Sequence, residues 1–375
     1  MTFDLYADRD KLTAAIEAAR PFVSQRKDGP GRFVTLTVNA GSLRITACDG
    51  EAFGTVACDV QSKRGGEVFV SLAALADDVK TIRDAVIHVE VTGSLVARKL
   101  RVSGSTDTRT TTLPDEASVG LLPIPPAPVG DGWEVTAANL TAALTASSYA
   151  IAPEDVRWGL NGLHAEIWRD GAHAGEIALV ATDGHRLALA WLAFSGDFTM
   201  PPRTLIPRNA CRDLATLAGK VRIVVADGWL HASVGSDRFG WRLIDGEFPD
   251  FRAILPTNTR NAVMCRRDEL LGKVAATRRI ASENGKTRPM SFDAVDGEVT
   301  LVARHEERET RSTLPGETEG EIRAGFNAEY LHQAVSKTVA DKVRIRGTHA
   351  LAPYIVEPYD DGGSFAVIMP MRIDL

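Results

Sequence analysis

The chain has 375 residues, 44% of them hydrophobic and 25% charged, with a formal net charge of −6; that length is ordinary for two or three soluble globular domains. No apolar run reaches the ~18–20 residues of a membrane span, and the opening MTFDLYADRDKL carries early acidic residues in place of an apolar leader. Cys48, Cys58, Cys211 and Cys265 lack C-x-x-C spacing and the eight histidines lack H-E-x-x-H spacing, which points to a cytoplasmic protein with reduced thiols, no metal and no cofactor.

The first predicted element is a helix over 8–20, capped by Asp8 or Asp10, with Leu12, Ile16 and Ala19 on one face. Short β runs follow, RFVTLTV and LRITA, and ITACDGEAFG (45–54) carries a D-G turn signal. A second helix is expected over 71–84. LPDEASVGLLPIPPAPVGDG (113–132) is then an extended connector, because proline fixes φ and removes donors. The order restarts with a helix over 136–150 capped by Thr136, the stretch LVATDGHRLA (179–188), a helix over 207–220 and the hairpin VRIVVADGWLHASV. DGEFPDFRAILPTNTRN (245–261) is the second connector. A third round brings a helix over 266–280 capped by Asp268, LVARHEERET (301–310) and a helix over 326–342.

Three sets of markers agree on one long repeat. Asp49, Asp183 and His305 are spaced by 134 and 122 residues; Ser71, Pro207 and Phe326 by 136 and 119; Leu12, Leu140 and Leu270 by 128 and 130. The sequence therefore predicts three tandem, similarly folded domains, 1–127, 128–254 and 255–375. Each is α+β, with two helices packed on antiparallel sheet of about eight strands. In the central copy Asp183 and Gly184 serve a strand–turn–strand connection, which leaves His185 and Arg186 as residues the turn does not require. No nucleophile–base pair, P-loop, G-x-G-x-x-G or G-x-S-x-G is present, so no catalytic site is predicted.

The acidic total hides a basic part. The six predicted helices together carry +4 and the remainder −10. The excess comes mainly from Arg208, Arg212, Arg266, Arg267, Lys273, Arg278 and Arg279, a distribution that suits loose contact with a phosphate backbone.

ATDGHRLAL, DGEFPDFRAILP and the C-terminal FAVIMPMRIDL, with DVRWGLNGL (155–163) and IPRNACRDL (206–214), resemble the signature stretches of the bacterial DNA polymerase III β subunit, the sliding-clamp family. The resemblance runs in order along the whole chain. It implies the DNA-clamp fold and a head-to-tail homodimer forming a ring around duplex DNA, helices inside and sheet outside. It also implies sequence-independent DNA contact, no enzymatic activity, and tethering of the polymerase III α subunit, the clamp loader and other proteins through short peptides. The peptide pocket would comprise Leu160, Leu187, Pro249, Ile254, Leu351, Val367 and Met369. Its more polar edge would be Arg157, Thr182, Gly184, His185 and Arg186, with Pro353, Pro370 and Met371 close by. DNA contacts would come from Arg26, Trp158, Arg208, Arg278 and Arg279. The dimer ends would be Arg98, Lys99 and Arg101, with Arg109 nearby, against Glu306, Glu307, Glu309 and the helix end at Ile280. This chain departs from the family pattern at Ala73, Glu154, Gly159 and Ala253 and lacks the Leu-Pro segment after Arg26, which implies a divergent member. The alternative implied by those departures is a specialised or secondary clamp for repair, a mobile element or inhibitor tolerance.

Overall fold

One element order is written three times along the chain, with one short strand added in the third copy. The first copy runs β1 (Asp4–Asp8), α1 (Arg9–Ala19), β2 (Phe33–Asn39), β3 (Ser42–Cys48), β4 (Ala52–Arg64), β5 (Gly66–Ser71), α2 (Leu72–Thr81), β6 (Val86–Ser94), β7 (Ala97–Ser103) and β8 (Thr108–Thr112). The second repeats it as β9 (Trp133–Thr136), α3 (Ala137–Ser147), β10 (Gly162–Ile167), β11 (Ile177–Thr182), β12 (Arg186–Leu192), β13 (Thr204–Pro207), α4 (Arg208–Leu214), β14 (Lys220–Ala226), β15 (Trp229–Val234) and β16 (Asp237–Arg242). The third comprises β17 (Asn261–Arg266), α5 (Arg267–Ala281), β18 (Pro289–Val295), β19 (Glu298–His305), β20 (Arg308–Pro315), β21 (Glu317–Glu319), β22 (Ile322–Asn327), α6 (Ala328–Lys337), β23 (Lys342–Gly347), β24 (Tyr354–Pro358) and β25 (Phe365–Ile368). The computed structural model describes residues 3–24, 31–94, 97–115, 119, 122–128, 132–196, 198, 200–201, 203–359 and 363–373.

Among the described residues each of the six expected helices is found, but α4 stops at Leu214 and α6 at Lys337, short of the expected 220 and 342, where β14 and β23 already begin. Asp8 accepts a hydrogen bond from the Lys11 amide, Ser71 from Ala74, Thr136 from Asn139 and Asn327 from Glu329, each satisfying an amide that the helix itself cannot. The third copy corrects one expectation. Asp268 is not the cap of α5: β17 runs to Arg266, which occupies the cap position without a side-chain bond. The Arg267 amide instead donates to the Asp341 carbonyl at 2.9 Å, and Asp268 with Glu269 lies in the first turn, where carboxylates favour the positive helix end.

The turns repeat as closely as the helices. Between β3 and β4, Asp49 is followed by Gly50 at φ 97°; between β11 and β12, Asp183 is followed by Gly184 at φ 88°. Between β19 and β20 the third copy puts Glu306 at φ 51° in the same place, a conformation that glycine adopts without strain.

By compactness the chain divides into two units: Met1–Glu134 with Gly219–Arg242, and Val135–Ala218 with Leu243–Leu375. The second copy is shared between them because sheets run on from one copy to the next. In the first unit the strand order is β8-β7-β6-β1-β4-β16-β15-β14-β9, with β3, β2 and β5 branching from β4. In the second, one sheet runs β13-β10-β11-β12-β25-β24-β23-β17-β21 and another β20-β19-β18-β22. The two joins are equivalent. Ala52 to Thr55 of β4 pair antiparallel with Trp241 to Arg238 of β16, and Arg186 to Leu189 of β12 pair with Ile368 to Phe365 of β25. Each stretch begins three residues after its turn aspartate.

Candidate functional site

The turn between β11 and β12 is built by its aspartate. Asp183 Oδ1 accepts the His185 amide at 3.0 Å and the Arg186 amide at 3.1 Å, while Thr182 Oγ1 accepts from Gly184 N and donates to the Arg186 carbonyl at 2.6 Å. Asp183 and Gly184 thus serve the turn, as the sequence predicts. Arg186 does not stand at the rim. Its guanidinium is mostly buried, paired with Asp183 Oδ2 at 3.0 Å, donating to the Tyr149 carbonyl at 3.0 Å and to Gln333 Oε1. It lies over the rings of Tyr330 (4.5 Å) and Tyr149 (5.4 Å). Burial pushes the Tyr149 hydroxyl well above its usual range, with Arg186 opposing. His185 is exposed and stacks on Tyr330.

Sheet pairing brings the C-terminal motif to this turn. Leu187 lies opposite Val367, Ile355 lies on the other side of Val367, and the Met369 amide donates to the His185 carbonyl at 2.9 Å. Leu187, Val367, Ile355 and Phe251 form one buried cluster, with Phe248, Leu255, Trp168 and Trp191 packed against it. Leu160 is also buried. These three predicted pocket residues are therefore core. Of the expected pocket's apolar side chains, Leu351, Ile254 and Met369 are exposed by 54%, 41% and 38%, Pro249 is exposed, and Pro353, Pro370 and Met371 are half-buried. Leu351 and Met371 share an open depression of about 390 Å³ with Asp293, Arg323 and Arg372. Arg157 holds Asp155 through two side-chain bonds of 2.9 and 2.8 Å, which keep the Asp155 carboxyl at about 2. A Cβ added to Gly184 would meet Arg157 Nη2 at 3.1 Å, so Arg157 flanks the turn. Tyr149, Tyr330 and Gln333 escape sequence reading because only the folded chain brings them against Arg186.

The residues expected at DNA are scattered. Trp158 is 71% exposed. Its neighbour Gly159 is buried with the Glu247 carbonyl where a Cβ would stand, so close backbone packing accounts for the missing aromatic. Arg208 is exposed and donates to the Ile151 carbonyl at 2.5 Å. Arg279 is exposed; Arg278 is half-buried and paired with Glu329 at 2.9 Å. Arg26 lies outside the described residues. Of the expected dimer ends, Lys99, Arg101, Arg109, Glu306, Glu307 and Glu309 are exposed, whereas Arg98 and Ile280 are each 7% exposed. Those two therefore pack inward and offer little side chain to a second copy.

Among the described residues, Asp4, His88 and Glu90 bring donor atoms within 4.8 Å of one another. Asp4 bonds His88 at 2.8 Å and Glu90 bonds Arg101 at 3.1 Å, so these donors already serve protein partners. No helix among the described residues is long and apolar enough to cross a membrane.

A threefold-repeated α+β fold, sheets continued from copy to copy, and a conserved-geometry turn meeting a C-terminal strand define a clamp-type protein. The comparisons agree. The description "DNA polymerase III beta subunit, central domain" matches residues 134–250 and the corresponding C-terminal domain matches 252–372. The beta sliding clamp of Vibrio cholerae is 31% identical over 268 residues, covering 68% of this chain and 71% of that protein. That of Pseudomonas aeruginosa is 28% identical over 97% of this chain and 98% of its own. A crystal structure of the P. aeruginosa clamp bound to griselimycin superposes with a TM-score of 0.86 at 25% identity, covering all of both chains; a Bartonella birtlesii clamp reaches 0.89 at 24% over all of both chains. The chain belongs to the bacterial DNA polymerase III β-subunit family. It is a sliding clamp, a processivity factor and not an enzyme.

Proposed function

We propose that the chain assembles as a head-to-tail homodimer, a ring of six domains with boundaries near 127 and 254, that encircles duplex DNA in the cytoplasm. It holds the polymerase III α subunit, the clamp loader and other partners by short peptides. Equivalent strand pairing carries the assembly reading. β4 takes β16 and β12 takes β25 in the same register. The third equivalents, β20 and β8, each end a sheet. Extending the register pairs Arg308 with Leu113, Glu309 with Thr112, Thr310 with Thr111 and Arg311 with Thr110 of a second copy. A closed cycle removes two open edges, which would otherwise template promiscuous pairing.

Cysteines introduced at 111 and 310 in one chain test this register, since paired strands bring Cα atoms within disulfide reach. Oxidation is expected to give a covalent dimer that stays on nicked circular DNA and leaves a linearised circle. Absence of the cross-link together with a monomeric mass by light scattering at micromolar concentration overturns the ring.

The docking reading places partner peptides across the surface of His185, Met369, Ile254 and Leu351, over the buried floor of Leu187 and Val367. Methionine adapts to several anchor shapes, and apolar groups from distant segments form a concave site. DNA contact is assigned to exposed cations such as Arg279 and Arg208 and to the exposed Trp158.

A further inference from the structure

Two of the four basic residues of α5, Arg267 and Arg278, are committed to carboxylates, as is Arg266 just before the helix. Arg266 is paired with Glu269 at 3.2 Å and Arg267 with Asp268 at 2.7 Å. Lys273 and Arg279 are exposed. Arg278 is different, because its partner is not on its own helix. Glu329, in the first turn of α6, takes Arg278 Nη1 at 2.9 Å and Arg288 Nη1 at 2.5 Å on the same oxygen. Its other oxygen accepts Gln333 Nε2 at 2.7 Å. Burial opposes the charge on Glu329, but the Gln333 bond and the two arginines outweigh it and hold the carboxyl below its usual range. The arginine side chains are still 32% and 35% exposed, within reach of solvent and of a phosphate.

We infer that Glu329 is an internal counter-ion that withholds Arg278 and Arg288 from DNA phosphates, keeping direct affinity low so that retention rests on encirclement. The inference rests on the reading that α5 faces the duplex. A phosphate that recruits Arg278 must displace a carboxylate already bonded to it, and that carboxylate is held in place by a second arginine and a glutamine. Charge-assisted pairs of this kind are the strong ones. A cation neutralised inside the protein releases little counter-ion from DNA, so it adds little to affinity or to its salt dependence. Weak backbone contact leaves the protein free to translate along the duplex.

The test measures binding of the full chain to a short labelled duplex by fluorescence anisotropy over a salt series. Glu329→Gln keeps the shape and the Gln333 bond but removes the charge. It is expected to bind several-fold tighter, with the slope of log affinity against log salt steeper by about 0.9 for each arginine released. Glu298→Gln, the same charge change at an exposed residue of β19, is expected to bind as wild type. Adding Arg278→Ala and Arg288→Ala to Glu329→Gln is expected to abolish the gain. In the otherwise unaltered chain, Arg278→Ala is expected to weaken binding less than Arg279→Ala; this comparison stands even if Glu329→Gln misfolds. Equal losses from those two variants, or equal affinities of Glu329→Gln and Glu298→Gln while Arg279→Glu still weakens binding, overturn the inference alone. If Arg279→Glu has no effect, the assignment of α5 to the DNA side fails and takes the inference with it.

Discussion

Two turns of this protein share a backbone and differ in what they present. After β3, Asp49 Oδ1 accepts the Glu51 and Ala52 amides at 2.9 and 2.7 Å; after β11, Asp183 Oδ1 accepts the His185 and Arg186 amides at 3.0 and 3.1 Å. The neighbouring strand end then binds in the same way: Arg242 N donates to Glu51 O at 2.8 Å, and Met369 N to His185 O at 2.9 Å. In the first copy the two side chains so placed are Glu51 and Arg242, a solvated ion pair of 3.6 Å, and surface pairs of this kind contribute little. In the second they are His185, which stacks on Tyr330, and Met369, an exposed apolar side chain. At the next position Ala52 is a small core residue, where Arg186 ties together Asp183, Tyr149 and Gln333. The frame is generic; a few side chains give the second copy the surface proposed above to hold a partner.

The comparison can be broken most strongly at the core beneath the site. Leu187→Ala is expected to lower stability by about 2–5 kcal/mol in chemical denaturation, because its side chain is buried with Val367 and Phe251. Any loss of peptide affinity in that variant follows from the collapsed floor. The aspartates come next. Asp183→Ala removes two amide acceptors and the mostly buried partner of Arg186, and is expected to cost about 3 kcal/mol. Asp49→Ala removes only the amide acceptors and is expected to cost about 1 kcal/mol. Equal melting shifts for the two would mean that Arg186 adds nothing to the second turn. Met369→Ala is expected to weaken a Gln/Leu/Phe-bearing clamp-binding peptide by about 1–3 kcal/mol in a titration, with the dimer intact; unchanged affinity would remove Met369 from the site. The smallest effect belongs to the first copy. Arg242→Ala is expected to change stability by under about 0.5 kcal/mol and leave peptide affinity at the wild-type value. A measurable affinity loss there would give the first turn a docking role of its own.

Much of the fold was legible because its signals are local. The D-G pairs at 49–50 and 183–184, the caps at Asp8 and Thr136, and the helical spacing of Leu12 and Ile16 are properties of adjacent residues, and repetition reinforced them. The α5 cap was misread because Asp268 is a good capping residue by type. The actual start is set by how far β17 pairs and by an acceptor at Asp341, distant in the chain. For the proposed site, the sequence offers members but not their burial. Motif resemblance gathers Leu160, Leu187 and Val367 with Ile254, Leu351 and Met369, but composition cannot say that the first three are buried and the last three exposed.

By itself the sequence determined the threefold element order and the turns, since these depend on short-range stereochemistry and on periodic apolar positions repeated three times, and its motifs carried the resemblance to the family. The tertiary structure alone decided which copy completes which sheet, β4 with β16 and β12 with β25, because strand edges choose partners through pairing between residues far apart in the chain. It also decided the fate of the charges. Arg186 and Arg278 read alike as basic residues in the sequence. Each meets a carboxylate in the folded chain, Asp183 from its own turn and Glu329 from another helix, and only packing sets such distances.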